Sequence, residues 1–296
     1  MSSSHSSLDA ATRALYERVR DASRNRELLR VIDSAAPPRA AAAAAIVLVP
    51  GIFYRDFPHT GADGAPLRAV AESLGVPFAT IPVDGTEGVD AAADAINAWL
   101  AAAQFDAPII LFSLSKGSAE VRHALTKPEA ERAFRRVAAW VSVSGLPFGT
   151  SSLEITLRNP LRRIGFELLC LYKRWRLATV RHLLRHRPAA PFVLPSGLRF
   201  VQIAAFPQRR HLRDRRSRRL HAGLASLGPN DGFAVLEELA ALPGQLYPIW
   251  GVDHYLRGVD DLSLRLARLV GHLAQGHADA AACAPPDACR AAARSP

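Results

Sequence analysis

Apolar residues fall along this chain in two rhythms. Short continuous runs stand at 46–49 (IVLV), 77–83 (PFATIPV), 107–112 (APIILF), 137–143 (VAAWVSV), 198–205 (LRFVQIAA) and 245–250 (QLYPIW). Between them lie stretches where apolar residues recur every three or four positions, at about 67–74, 89–103, 113–125, 212–227, 234–242 and 262–273. Runs of the first kind suit strands buried on both faces, and those of the second kind suit helices packed on one side. Their alternation predicts βαβ units, hence an α/β fold with a mostly parallel central sheet flanked by helices.

Four segments stand outside this rhythm. Residues 8–31 read as one amphipathic helix, with Leu8, Ala11, Leu15, Val19, Leu28 and Leu29 at helical spacing and Ser7 as its cap. A low-complexity linker (AAPPRAAAAAA, 35–45) follows it. Residues 147–197 separate the fourth and fifth strands. Within them Leu161, Ile164, Leu168, Leu171 and Trp175 form a stripe among Arg162, Arg163, Lys173 and Arg174. This predicts an inserted helical cap whose apolar stripe either packs on the core, walling an acyl pocket with the arginines in water, or stays exposed as a docking face. The Ala/Pro-rich end, 276–296, reads as a disordered tail. The domain plan is therefore 1–43 as N-terminal helix and linker, 44–275 as the α/β domain with its cap, and 276–296 as tail.

The informative chemistry begins where the third strand runs straight into a helix through Ser113-Leu114-Ser115-Lys116-Gly117. This segment resembles the G-x-S-x-G nucleophile elbow of the α/β-hydrolase superfamily, with Ser113 in place of the first Gly. The turn is strained and crowded, so the residues two before and two after the serine must be small. Ser115 is thus the candidate nucleophile. A serine hydroxyl needs an adjacent general base, and the resemblance implies the chain order Ser, Asp, His. Gly228-Pro229-Asn230-Asp231-Gly232 follows the fifth strand and its helix, and Gly251-Val252-Asp253-His254-Tyr255 follows the sixth strand. Asp231 and His254 are the candidate acid and base. Asp253 is the rival acid, but adjacent loop side chains diverge. His182, His186, His211 and His221 lie in basic helices, where a solvated face is the simpler account.

The resemblance extends over residues 44–275. It implies an eight-stranded or slightly smaller sheet, a Ser-His-Asp triad, no cofactor or metal, and hydrolysis of an ester, thioester or amide. It also implies an oxyanion hole built from the backbone N–H of Lys116 and that of Ile52, in the loop Val49-Pro50-Gly51-Ile52-Phe53-Tyr54. Phe53 and His59, in and just after that loop, are candidate substrate contacts. The expected activity is cleavage of an ester of an apolar acyl group. The alternatives are acyl transfer by the same triad, or an inactive hydrolase-fold protein that binds an anionic membrane surface.

Charge changes this picture locally. The chain has 296 residues and a net charge of +10. Residues 157–187 hold nine Lys/Arg against one acid (Glu167), and 208–219 hold seven Arg against one acid (Asp214), so the remainder is net acidic. The 208–219 run lacks the interleaved aromatics that stack on single strands, so no nucleic-acid partner is expected. The 157–187 segment carries Phe166, Tyr172 and Trp175 and is better suited to an anionic membrane surface. Three cysteines (Cys170, Cys283, Cys289) form no disulfide framework or zinc pattern. The first 20 residues lack the apolar core of a signal peptide. Cytoplasmic localisation is the expectation, with peripheral membrane contact as its variant.

Overall fold

The computed structural model describes residues 2–37, 44–56, 60–84, 88–173, 175 and 192–282. Six strands form one sheet: β1 (Ala45–Val49), β2 (Phe78–Thr80), β3 (Ile109–Leu114), β4 (Val137–Val143), β5 (Arg199–Phe206) and β6 (Gln245–Trp250). They lie in the order β2-β1-β3-β4-β5-β6, and every pairing is parallel. All but the half-buried edge strand β2 are buried along nearly their whole length, which explains why they read as continuous apolar runs and not as alternating ones.

Successive side chains of each strand serve opposite layers. Val47, Val49, Ile109, Leu111 and Trp140 join one core, packed against α1 (Ser2–Asp21), α4 (Val89–Ala102), α5 (Gly117–Ala124) and α6 (Ala130–Phe134). Ile46, Leu48, Ile110, Phe112 and Val141 join the other, under α2 (Arg26–Ile32), α3 (Ala65–Leu74) and the closing helix Leu262–Ala282.

The N-terminal segment is two helices where the sequence reads as one. The chain turns extended at Ala22 and passes through a short 3-10 turn, Ser23–Asn25. The cause is Asn25, which is fully buried. Its Nδ2 donates to the Val19 carbonyl at 2.8 Å, and its Oδ1 accepts from the Leu246 N–H of β6 at 2.9 Å. Leu15 and Val19 therefore enter one core, whereas Leu28, Leu29 and Ile32 enter the other. The segment wraps the β6 edge and leaves it covered. Ser7 lies inside α1 and is not its cap. Most of the linker (38–43) lies outside the described residues, but Ala45 already belongs to β1. At the other end, the closing helix passes 275 and continues to Ala282. The rest of the expected tail, 283–296, lies outside the described residues.

Of the insertion, α7 (Ser151–Leu157) and α8 (Pro160–Lys173) are described. Here the packed alternative for the stripe fails. Leu161, Ile164, Leu168 and Leu171 are 80%, 55%, 61% and 77% exposed, so the stripe does not wall a pocket. Only its last member, Trp175, is buried. The buried side of this segment is instead Cys170 and Trp175, packed with Phe53, Leu153 and Phe166. Spacing shows that a helix has an apolar face but does not say what lies opposite it. No helix of the described residues is long and apolar enough to cross a membrane.

Candidate active site

The strand order reverses direction between β1 and β3, since β2 lies to one side of β1 and β3–β6 to the other. Such a switch point opens a crevice beyond the carboxyl ends of the strands. The loop after β1 and the turn after β3 meet there. Ser115 sits at the tip of that turn with φ of 48°, a left-handed conformation that costs a non-glycine residue on the order of 1–3 kcal/mol. The surroundings hold it in place. Its N–H donates to the Val143 carbonyl at 3.1 Å, and its carbonyl accepts from Leu146 N–H at 3.0 Å and Ser118 N–H at 3.1 Å. Gly117 must be glycine, because a Cβ there would stand 2.8 Å from both the Val49 and Pro50 carbonyl oxygens.

Ser113 does more than stay small. It is fully buried, and its hydroxyl accepts from Trp140 Nε1 at 2.8 Å and bonds to Ser118 Oγ at 2.9 Å, which in turn bonds Ser142 Oγ at 2.9 Å. This chain of hydroxyls underpins the turn from behind. Lys116, next to the serine, is also buried, and its ammonium pairs with Glu120 one helical turn on, where both side chains are 1% exposed.

Three predicted residues come together in one hydrogen-bonded line. Ser115 Oγ lies 3.1 Å from His254 Nε2, and His254 Nδ1 lies 2.8 Å from Asp231 Oδ2. The second carboxylate oxygen, Asp231 Oδ1, accepts from the backbone N–H of Phe233 at 2.9 Å and of Ala234 at 2.7 Å. That turn is itself fastened from the insertion. Thr150 Oγ1 donates to the Phe233 carbonyl at 2.7 Å, and Ser152 Oγ donates to the Gly232 carbonyl. The carboxylate is therefore fixed in position and aimed at Nδ1, which sets the histidine tautomer that leaves Nε2 free to accept a proton. Asp231 and His254 are almost fully buried, and the Phe233 ring lies 4.5 Å from the imidazole.

The rival carboxylate points elsewhere. Asp253 binds the Arg257 guanidinium at 2.7 Å and the Tyr255 N–H at 3.1 Å. Arg257 also reaches Asp214, whose carboxyl the Ser217 backbone N–H, the Ser217 hydroxyl and Arg257 together hold down at about 2. This network ties the His254 loop to the helix Arg215–Gly223.

The loop after β1 presses on the serine, since a Cβ on Gly51 would come within 3.8 Å of Ser115 Cβ. Of the candidate oxyanion donors, Lys116 directly follows Ser115 in the turn and Ile52 follows Gly51 in this loop. Phe53, in the same loop, is half-buried. Its ring stacks on Trp175 at 3.6 Å, while Trp175 Nε1 donates to Asp56 at 3.0 Å, so it clamps the insertion to the loop. His59 lies outside the described residues. Ser144, at the carboxyl end of β4, escaped the sequence reading. It too has a positive φ, 45°, and its buried hydroxyl has no hydrogen-bond partner among the described residues. Nothing in a lone serine marks such strain. Among the described residues, no group of three or more His, Cys, Asp or Glu is arranged to hold a metal.

No protein-family model matches this chain, and no curated protein matches it in sequence. Solved structures do match in shape. The metagenomic carboxyl esterase MGS0156 superposes with a TM-score of 0.59 at 22% identity, covering 82% of this chain and 78% of that one. The mature Bacillus licheniformis lipase BlEst2 superposes with a TM-score of 0.56 at 18% identity, covering 80% of this chain and 95% of that one.

Proposed function

Because this chain has the α/β-hydrolase fold, we propose that it is a serine hydrolase that cleaves a carboxylic ester or thioester through an acyl-enzyme on Ser115. The observation that carries this reading is the unbroken line from Ser115 Oγ through His254 to Asp231 at a strained turn. His254 Nε2 takes the Ser115 proton as Oγ attacks the ester carbonyl, and Asp231 stabilises the imidazolium that forms. The developing oxyanion is met by the N–H groups of Lys116 and Ile52. The imidazolium then protonates the leaving alcohol or thiol, and a water activated by the same histidine releases the acid. The known esterase and lipase of the same fold support this class of reaction. The half-buried Phe233 ring beside the imidazole supplies apolar surface at the site, whereas the exposed stripe of α8 supplies none.

Turnover of a p-nitrophenyl ester series of rising acyl length tests the proposal. Ser115→Ala and His254→Ala are each expected to lower kcat by on the order of 10⁶-fold without lowering the melting temperature. Full turnover by Ser115→Ala would refute it.

A further inference from the structure

The insertion carries an apolar face that the described residues leave uncovered. Leu161, Ile164, Leu168 and Leu171 recur along one side of α8, and Tyr172 beside them is 82% exposed. Cys170 is the buried residue of this helix, and the clamp to the β1 loop uses Cys170, Phe166 and Trp175 instead of the stripe. The proposed chemistry does not use the stripe either. A contiguous patch of large apolar side chains marks a surface that meets something other than water.

Its surroundings carry positive charge. Arg158 and Arg163 pair with Glu154 and Glu167 inside the insertion. Arg162, exposed beside the stripe, has no acidic partner among the described residues. The adjoining helix Arg215–Gly223 reaches α7 where Gly223 faces Ile155. Its Arg215, Arg216 and Arg219 are exposed and likewise without acidic partners among the described residues. A second copy docked on this face would bring the basic 157–187 segment, nine Lys/Arg against one acid, against its own kind. An anionic bilayer surface accepts both features, with apolar side chains at the acyl boundary and guanidinium groups among the phosphates. We infer that α8 docks the protein on an anionic phospholipid membrane, lying in the plane of the interface.

Co-sedimentation of the full chain with vesicles tests this, using phosphatidylcholine alone against phosphatidylcholine mixed with phosphatidylserine. Binding is expected to be at least about tenfold tighter to the anionic vesicles and to weaken as salt rises. The pair Leu168→Asp and Leu171→Asp is expected to remove about tenfold or more of that binding, with turnover of a short soluble ester unchanged. Binding is read without catalysis, so a failed esterase assay leaves this inference standing, and a failed sedimentation leaves the esterase reading standing. Equal affinity for both vesicles would overturn it, as would binding that survives the double substitution. A dimer in solution that the same substitutions turn into a monomer would also overturn it, because a second copy would then cover the face.

Discussion

The Ser115 turn and helix α8 began as comparable sequence signals, each an apolar pattern with a suggestive set of neighbours, and they ended differently. At the turn, nearly every polar atom is held. Ser115 is bonded through its backbone to β4 and Leu146, Ser113 takes the Trp140 indole, and Asp231 uses both oxygens. On α8 most of the apolar side chains face outward, and the described contacts that hold the helix are the packing of Cys170 and Phe166, the Lys173–Asp56 ion pair and the Phe53–Trp175–Asp56 clamp. The elbow is over-determined because a strained backbone persists only where its surroundings fix it. An amphipathic helix needs only a partner for its face, which can lie outside the chain.

Substitutions should separate the two regions sharply. After the nucleophile and base themselves, the largest effect concerns the acid. Asp231→Asn should cut kcat by about 10⁴-fold, since the wrong tautomer of His254 would face the serine. Asp253→Asn should leave turnover within a few-fold, because that carboxylate serves Arg257. Steady-state kinetics on one soluble ester decides between them, and equal losses would mean that the histidine loop acts as one unit. An intermediate effect is expected behind the turn. Ser113→Ala leaves the buried Trp140 indole N–H without its acceptor, at a cost of about 1–3 kcal/mol in urea denaturation. A neutral result would reduce the role of Ser113 to size alone. The smallest effect belongs to α8. Leu168→Asp should change stability by no more than about 0.5 kcal/mol, because the side chain is 61% exposed. A loss of several kcal/mol would show that the face is packed within the chain.

The regular layers were largely legible in the sequence. The limits of β4 and β6 coincide with the apolar runs at 137–143 and 245–250, because strands buried on both faces leave an uninterrupted hydrophobic record. The three residues of the hydrogen-bonded line were legible too, since each follows a strand in the order that the resemblance requires. What escaped were features made by single side chains acting over distance. Asn25 breaks the N-terminal helix by bonding to β6, more than two hundred residues away, and helical spacing carries no trace of that. The stacking of Phe53 on Trp175 of the insertion left no mark in the sequence either. The direction of the α8 stripe escaped for the same reason, because periodicity defines a face without naming its neighbour.

The central claim is that Ser115 is an activated nucleophile. Reaction of the full chain with a fluorophosphonate probe, followed by proteolysis and mass spectrometry of the adduct, tests it without any knowledge of the substrate. A single adduct on Ser115, absent in Ser115→Ala and strongly slowed in His254→Ala, is the predicted result. An unmodified Ser115 in a folded protein that still hydrolyses esters, or an adduct on another serine, would contradict it.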